Sequence, residues 1–279
     1  MGERRVGRVV GLWRYPVKSM RGEALQQVDI DGRGVCGDRA YSLWDHATSR
    51  VASAKNPLLW RALLRYEACF TAPVLPGAPP PPVAIQPVEG GESRAPLRSS
   101  DAGLNERLSV LLGRRVSLLD RPPAAASLDQ YWPPVEGRAY QNVVNELVLP
   151  EGTFFDSCPI HAISTATLAQ LRRLEPSLDF AVERFRPNLL IELEPGAEGF
   201  VEEAWAGHTL RLGTGPELLV EGGCPRCVIT TLPQGKLPEA MGILRATARH
   251  NQVVAGIRLA VSRPGRVALG EPVTLVEAG

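Results

Sequence analysis

Short apolar runs bounded by Gly, Pro and Asp dominate the chain, and they predict a protein built from short strands. In the first half, residues 6–13 (VGRVVGLW), 25–30, 40–44 and 115–120 are rich in β-branched, aliphatic or aromatic residues. The second half repeats the pattern at 188–193, 208–212, 217–220, 227–231, 253–261 and 272–276. Because so many short strands must cover or pair their edges, an antiparallel, barrel-type arrangement is favoured.

Three segments carry the helical spacing of apolar residues. In 101–112, Leu104, Leu108, Leu111 and Leu112 share one face, with Asp101 or Ser100 as N-cap and Gly113 beyond the end. Residues 165–174 form the second predicted helix, with Ser164 as N-cap. The third prediction is 238–249, with Pro238 in its first turn and Asn251 after its end.

Two proline-rich stretches interrupt these elements. Residues 73–87 hold seven prolines and predict an extended surface loop, and 121–137 also reads as a loop. A boundary near residue 120 divides the chain into domains 1–120 and 121–279. The predicted fold class is therefore α+β and β-rich, with few helices.

Composition and charge exclude several functions. Lys and Arg number 31 against 30 Asp and Glu, so no overall field favours nucleic acid or an anionic membrane, and any anion site must be local. No apolar stretch is long enough for a secretory signal or a membrane span. Five cysteines with one close pair do not make a disulfide framework, so a cytoplasmic protein is expected. Arginines outnumber lysines 28 to 3, which draws attention to Lys18, Lys55 and Lys236.

The segment Cys224-Pro-Arg-Cys227 is the sharpest local feature, and four interpretations remain open. It could be half of a zinc site completed by His208 or His250, or two ordinary cysteines at a turn. A thioredoxin-type dithiol would need a following helix, whereas Val228 to Thr231 favour a strand. The fourth interpretation is a single thiolate ligand for a soft or borderline metal, with Arg226 beside it.

Three other segments combine polar groups that suit an anion, each with a structural alternative. Lys18 and Ser19 (YPVKS) with Arg39 (GDR) could grip a phosphate, or be a strand end and a turn pair with Asp38. Arg186 and Asn188 in RFRPN suit an oxyanion or a heterocycle edge, or a surface turn. Asp156 in DSCP could instead close an Asx turn.

Together the segments YPVKS, GDRAY, DSCPIHAISTATL, RFRPNLLIE and GCPRCVITT resemble the MOSC family, which is named after the C-terminal domain of molybdenum-cofactor sulfurase. The first two are similar to the β-barrel N-terminal domain that accompanies MOSC domains. The resemblance spans roughly residues 7–276. It implies a β-barrel-type MOSC domain preceded by a smaller β-barrel-like domain.

The resemblance also implies a molybdenum-molybdopterin cofactor and a set of residues around it. Cys227 would be the metal ligand, and Asp156 would orient a ligand of the metal or relay a proton. Lys18, Ser19, Arg39, Arg186 and Asn188 match positions that hold the pterin and its phosphate. Ser157, Pro225 and Arg226 would line the same pocket. Cys158 could be a packing substitution or a second thiol near the site, and packing is the favoured interpretation.

The activity implied is reduction of small N-hydroxylated substrates such as amidoximes and hydroxylamines. No iron–sulfur cysteine pattern and no membrane segment is recognised in the sequence, so electrons are expected from a separate ferredoxin, flavoprotein or cytochrome. The alternatives are a sulfur carrier or cofactor-transfer protein and a non-catalytic pterin-binding module. Neither nucleic acid nor membrane is an expected partner.

Overall fold

The computed structural model describes residues 2–88, 95–137 and 141–278. Within these residues the strands are β1 Glu3–Arg14, β2 Glu23–Ala24, β3 Gln27–Asp31, β4 Gly34–Val35, β5 Ser42–Asp45, β6 Arg50–Val51, β7 Tyr66–Phe70, β8 Val83–Pro87, β9 Leu97–Arg98, β10 Val116–Leu119, β11 Ser127–Trp132, β12 Val143–Val148, β13 Ile160–Ser164, β14 Leu189–Leu193, β15 Thr209–Leu212, β16 Glu217–Pro225, β17 Val254–Arg263, β18 Gly265–Ala268 and β19 Pro272–Val276. The α-helices are α1 Pro57–Trp60, α2 Leu104–Leu112, α3 Thr165–Leu174, α4 Val182–Phe185 and α5 Gly242–Asn251. Short 3₁₀ helices cover Arg61–Arg65, Val201–Trp205 and Val228–Thr231. The prediction of a β-rich α+β protein with few helices is confirmed.

A closed sheet forms the larger half of the molecule. Its strands follow the order β14-β13-β17-β16-β15-β19-β1, and β1 also pairs with β14, which closes the ring. The barrel interior is filled by alternate residues of these strands, including Val9, Ile160, Ile191 and Leu259. Thus the first strand of the chain lies in the same sheet as strands from the C-terminal half.

The smaller half has a core of its own. Strands β5, β6 and β10 form one small sheet and β7, β8 and β9 another, and α2 packs beside β10. Their buried side chains, among them Leu43, Leu63, Ile85 and Leu108, meet in one cluster. The boundary predicted near residue 120 falls between β10 and β11 and stays a prediction, since β1 and β3 are shared with the barrel side.

The helix α3 spans the predicted residues and starts at the predicted cap. The Ser164 hydroxyl accepts a hydrogen bond from the Thr167 amide at 2.9 Å. Leu168 and Leu171 are buried on the face that the spacing indicated. Local sequence signals are sufficient here because the cap is made by residues three apart.

Two predicted loops contain strands. Residues 83–87 form β8, where Val83 and Ile85 are fully buried, because the alternation V-A-I-Q resumes once Pro82 has passed. Residues 127–132 form β11, which pairs with β12 at 143–148. The prolines therefore mark the ends of strands and do not exclude strands from these segments.

The prediction of a strand at 227–231 is wrong. Val228–Thr231 is a 3₁₀ helix with all four residues buried. The Thr230 hydroxyl donates to the Cys227 carbonyl at 3.0 Å, and the Thr231 hydroxyl donates to the Val228 carbonyl at 2.7 Å. These bonds to carbonyls three residues back stabilise the tight turn against the β preference of Val, Ile and Thr.

Two helix boundaries also differ. The helix predicted at 238–249 is α5, which begins only at Gly242, because the Ala240 amide donates to Thr231 O instead of joining a helix. Gln252, rather than Asn251, takes the left-handed position after its end. In α2 the cap position is Gly103, and Leu111 is exposed while Leu104 and Leu108 are buried. Gly113 ends this helix as predicted.

Among the residues that the structure describes, no helix is long and apolar enough to cross a membrane.

Candidate functional site

One cavity where the two halves meet collects side chains from both. All ten residues predicted for the site line it: Lys18, Ser19, Arg39, Asp156, Ser157, Arg186, Asn188, Pro225, Arg226 and Cys227. Lys18, Ser19 and Arg39 lie in the segment between β1 and β5. The other seven lie beside barrel strands or at the end of one. The structure therefore brings together segments that are far apart in sequence.

Three of the lining residues hold a backbone conformation that L-residues rarely adopt. Ser19, Arg39 and Arg186 have φ angles of 64°, 47° and 51°. Such left-handed residues cost free energy and persist where the surrounding structure fixes them, often at functional sites. Here the Lys18 amide donates to Tyr41 O and the Arg39 amide donates to Tyr15 O, which holds these turns against the strands.

Asp156 sits between two lysines. Lys18 Nζ lies 2.5 Å from its Oδ1, and Lys55 Nζ lies 3.5 Å from its Oδ2. Burial alone would raise the pKa of Asp156, but the two ammonium groups outweigh it and hold that pKa well below its ordinary value. Asp156 is thus a fixed carboxylate, and of the two roles expected for it, orienting a neighbour suits this arrangement better than relaying a proton.

The lysines themselves are anchored. Lys18 is almost fully buried and also donates to Phe154 O at 2.5 Å. Lys55 donates to Gln130 Oε1 at 3.3 Å and interacts electrostatically with Asp156 and Cys227. Burial would lower the pKa of Lys55, but the Asp156 carboxylate and, after it, the interaction with Cys227 raise that pKa above its ordinary value, so Lys55 stays an ammonium group.

Tyr15 carries two of the predicted arginines on its ring. The guanidinium carbons of Arg39 and Arg186 lie 4.5 and 4.3 Å from the ring centroid. The phenol donates to Pro187 O at 3.0 Å, and burial raises its pKa to about 12. Asp38 pairs with Arg39. Arg186 donates to Met20 O at 2.8 Å, and its burial lowers its pKa to about 10.

Two of the predicted residues form hydrogen bonds to backbone groups of the protein itself. Asn188 accepts from the His161 amide at 3.1 Å and donates to Trp13 O at 3.3 Å, which ties strands together. The Ser19 hydroxyl accepts from the Ala54 amide at 3.0 Å. Both side chains shape the cavity wall, whatever else they bind.

Arg226 organises the cysteine end of the cavity. Its Nη2 donates to Phe185 O at 2.6 Å, and its Nη1 lies 3.0 Å from Cys224 Sγ and 3.2 Å from His161 Nε2. Cys224 and Cys158 both line this end of the cavity, and their thiols interact. The interaction with Cys158, with His161 and Arg226 nearby, lowers the pKa of Cys224, while the pKa of Cys158 is raised by Cys224 and by burial.

Cys227 stands at the start of the 3₁₀ helix and is partly exposed in the cavity. His208 and His250 do not line the cavity: His208 accepts from the Ala278 amide and His250 pairs with Glu175. Within residues 2–88, 95–137 and 141–278 no three His, Cys, Asp or Glu side chains gather as a metal site. The zinc interpretation therefore finds no support here, whereas a single protein thiolate remains a possible ligand.

The donor set fits an anionic cofactor that carries a soft metal. Five cationic side chains (Lys18, Arg39, Lys55, Arg186 and Arg226) and one carboxylate line the cavity, although the whole chain carries a net charge of only +1. Arg226 Nε is buried and has no hydrogen-bond partner in the described part of the chain. A thiol, concentrated positive charge and a buried donor without a partner are what such a ligand requires.

Sequence reasoning did not place Lys55, Tyr15 or His161 in this site. Lys55 carried one signal, since it is one of three lysines in an arginine-rich chain. Tyr15 is the first residue of the YPVKS motif but acts through its ring, and His161 lies on strand β13, where the sequence pattern indicates a core residue. Their roles depend on tertiary contacts that spacing does not reveal.

Comparison with known proteins agrees with this architecture. The family model for the MOSC domain matches residues 150–274, and that for the MOSC N-terminal beta barrel domain matches residues 6–88. Mitochondrial amidoxime reducing component 2 of Rattus norvegicus is 28% identical over 236 residues, and its Homo sapiens counterpart is 26% identical over 243. Each alignment covers 81% of this chain and 67% of the relative. The crystal structure of the YuaD protein from Bacillus subtilis superposes with a TM-score of 0.50 at 14% identity, covering 100% of this chain and 99% of that one, which is a likeness of fold alone.

Proposed function

Because this chain belongs to the MOSC family, with a MOSC N-terminal domain ahead of its MOSC domain, we propose that it is a molybdenum-cofactor-dependent reductase of N-hydroxylated compounds. The substrates would be amidoximes, hydroxylamines or N-oxides, and the electrons would come from a separate donor protein. The relatives named as amidoxime reducing components support an oxidoreductase-type role. The observation that carries the proposal is the gathering of Cys227, Asp156 and five cationic side chains in one cavity.

In this proposal Cys227 holds the metal, and the cationic side chains hold the anionic part of the cofactor. Lys18, Arg39 and Arg186 come from segments predicted to bind phosphate and pterin, and their buried heads are already fixed by Asp156, Asp38 and Met20 O. When bound, the cofactor supplies a two-electron redox centre able to accept an oxygen atom, which side chains cannot provide.

The protein's own contribution is charge and orientation. Asp156 stays ionised, and it holds the side chains of Lys18 and Lys55 in the cavity wall. Lys55 interacts electrostatically with Cys227 and so places a positive charge at the end of the cavity where the metal-ligating sulfur would lie. Because Asp156 stays ionised, the two lysines beside it are the groups that can hold a proton for a leaving hydroxyl.

Metal content tests the proposal first. Protein produced in a cofactor-competent host is expected to contain about one molybdenum per chain by mass spectrometry, consistent with one thiolate ligand. Cys227→Ala should lose the metal and Cys224→Ala should keep it. Zinc in place of molybdenum, or molybdenum retained by Cys227→Ala, would contradict the assignment.

Turnover separates the reductase from its alternatives. Molybdenum-loaded protein with a chemical reductant is expected to convert benzamidoxime to benzamidine. Loaded protein that binds the cofactor without turnover would instead fit a sulfur-carrier, cofactor-transfer or non-catalytic binding protein.

A further inference from the structure

Two cysteines in the cavity wall have no part in the proposed reaction. Cys158 follows Asp156 and Ser157, and Cys224 lies near the end of β16, yet the fold places both in the wall of the cavity that also holds Cys227. Their thiols interact there. Packing alone, the role favoured for Cys158 from sequence, does not account for two interacting thiols in the wall of one cavity.

The surroundings of Cys224 favour a nucleophilic sulfur. Arg226 Nη1 lies 3.0 Å from Cys224 Sγ, and the guanidinium is held in place by Phe185 O. His161 also faces this sulfur. Its ring is confined by Gly256, where an added Cβ would come within 2.6 Å of His161 Nε2 and where φ is +80°. A guanidinium fixed beside a cysteine sulfur is typical of thiols that react with oxidants.

We infer that Cys224 and Cys158 form a peroxide-reactive dithiol–disulfide pair, with Cys224 as the attacking sulfur and Cys158 as the resolving one. This modification site goes beyond the proposed reductase activity and does not depend on it. It lies in the cavity wall, so its two redox states give Arg226 two different neighbours.

The chemistry balances with a hydroperoxide as oxidant. The Cys224 thiolate attacks one peroxide oxygen, the O–O bond breaks, and the other oxygen leaves as an alcohol or water after taking up a proton. Cys158 then attacks the Cys224 sulfenic acid, the S–O bond breaks, the S–S bond forms, and water leaves with the Cys158 proton. Two thiols lose two electrons in total, and a small dithiol reverses the change by exchange.

The chain contains its own reference thiols. Cys36 is buried, and its burial and the nearby Asp31 raise its pKa to about 12. Cys69 is exposed on β7, and burial of its sulfur with nearby Glu23 raises its pKa. Neither lines the cavity. Both report what peroxide does to cysteines that lack the Arg226 and His161 environment.

The test is disulfide mapping of the full chain, with and without bound cofactor. Protein treated with a small excess of hydrogen peroxide is alkylated, digested and analysed by mass spectrometry. The expected product is a peptide pair joined between Cys158 and Cys224, two hydrogen atoms lighter than the reduced pair and restored by dithiothreitol, while Cys36 and Cys69 remain alkylated. Loss of the two thiols should be one to one.

The Cys158→Ser variant distinguishes a resolving thiol from a bystander. It should form no disulfide at Cys224, and Cys224 should instead be trapped as a sulfenic acid by dimedone. Cys158→Ala serves the same purpose if serine disturbs folding, which thermal unfolding checks. The inference is overturned if Cys158 and Cys224 of the wild type remain fully alkylated, or if Cys36 and Cys69 oxidise as fast. A disulfide that joins Cys227 instead would also overturn it.

Discussion

Lys18 Nζ lies 2.5 Å from Asp156 Oδ1 although the two residues belong to opposite halves of the molecule. The lysine is almost fully buried, and the carboxylate keeps a third of its side chain exposed. This ion pair therefore joins the two halves at the wall of the candidate site. Lys18 also helps to keep the Asp156 carboxyl, which lies beside Lys55, ionised.

Separating the contribution of this pair requires a double-mutant cycle. Lys18→Met, Asp156→Asn and the double variant should give a coupling free energy of about 1 kcal/mol or more, because each single change removes the nearest oppositely charged partner of a poorly solvated group. Urea unfolding of the four proteins measures it. The exposed pair Arg8–Glu192, with both side chains about half exposed, is the matched control and should couple by less than about 1 kcal/mol. Equal coupling in the two pairs would contradict the assignment of Lys18–Asp156 as a strong link.

The lowered pKa of Asp156 has a direct consequence for acid stability. A carboxyl whose pKa is lower in the folded than in the unfolded protein stabilises the fold above its unfolded value, about 3.9, and loses that contribution as the pH falls further. The free-energy difference between wild type and Asp156→Asn should therefore be largest near neutral pH and shrink below about pH 4. Urea unfolding at a series of pH values measures this. A difference that is constant with pH would show that Asp156 does not titrate as an ion-paired carboxylate.

Local signals account for what the sequence alone could predict. The Ser164 cap of α3 needs only the amide of Thr167, and the left-handed Gly113 needs only the end of α2, so both follow from spacing. The ten site residues were found through motifs of a recognised family, and the cavity gathers them.

The elements that escaped prediction depend on partners distant in sequence. Residues 228–231 look like a strand until the hydroxyls of Thr230 and Thr231 turn back to bond the chain. The pairing of β1 with both β14 and β19, which closes the barrel, cannot be deduced from β1 itself. Lys55 and Cys158 could not be assigned to the site from sequence, because their partners, Asp156 and Cys224, are distant in the chain.

The raised pKa of Tyr15 predicts that stability falls as the pH rises, the opposite of the dependence expected for Asp156. Its pKa of about 12 in the folded protein exceeds the ordinary value of 10, so the unfolded chain loses the proton first as the pH rises. The stability that Tyr15 provides is complete below about pH 10 and is lost between about pH 10 and 12, by at most about 1.4 kcal/mol per pH unit.

Tyr15→Phe isolates this effect because it keeps the ring between Arg39 and Arg186. At pH 8 the variant should be less stable by about 1 kcal/mol, since the hydrogen bond to Pro187 O is lost. Above pH 10 the wild type should lose this advantage in denaturant unfolding. An advantage that persists at pH 12 would contradict a buried, neutral phenol.

Lys55 gives the prediction closest to function. Its ammonium is held by Asp156 at 3.5 Å and Gln130 at 3.3 Å and interacts with Cys227, so its removal takes one positive charge from the metal-ligand end of the cavity. Lys55→Met should therefore weaken retention of an anionic cofactor, by about tenfold in affinity, which corresponds to about 1.4 kcal/mol. Molybdenum content after graded dialysis of the loaded protein measures the loss.

Two further variants test whether the place of the charge matters. Lys236→Met removes an exposed lysine that does not line the cavity and should leave molybdenum content unchanged. Lys55→Arg keeps the charge but replaces a compact ammonium with a planar guanidinium, which does not match the site between Asp156 and Gln130, so it should restore retention only in part. If Lys55→Met retained molybdenum as well as Lys236→Met does, Lys55 would have no role in holding the cofactor, and the cavity charge would come from Lys18 and the arginines alone.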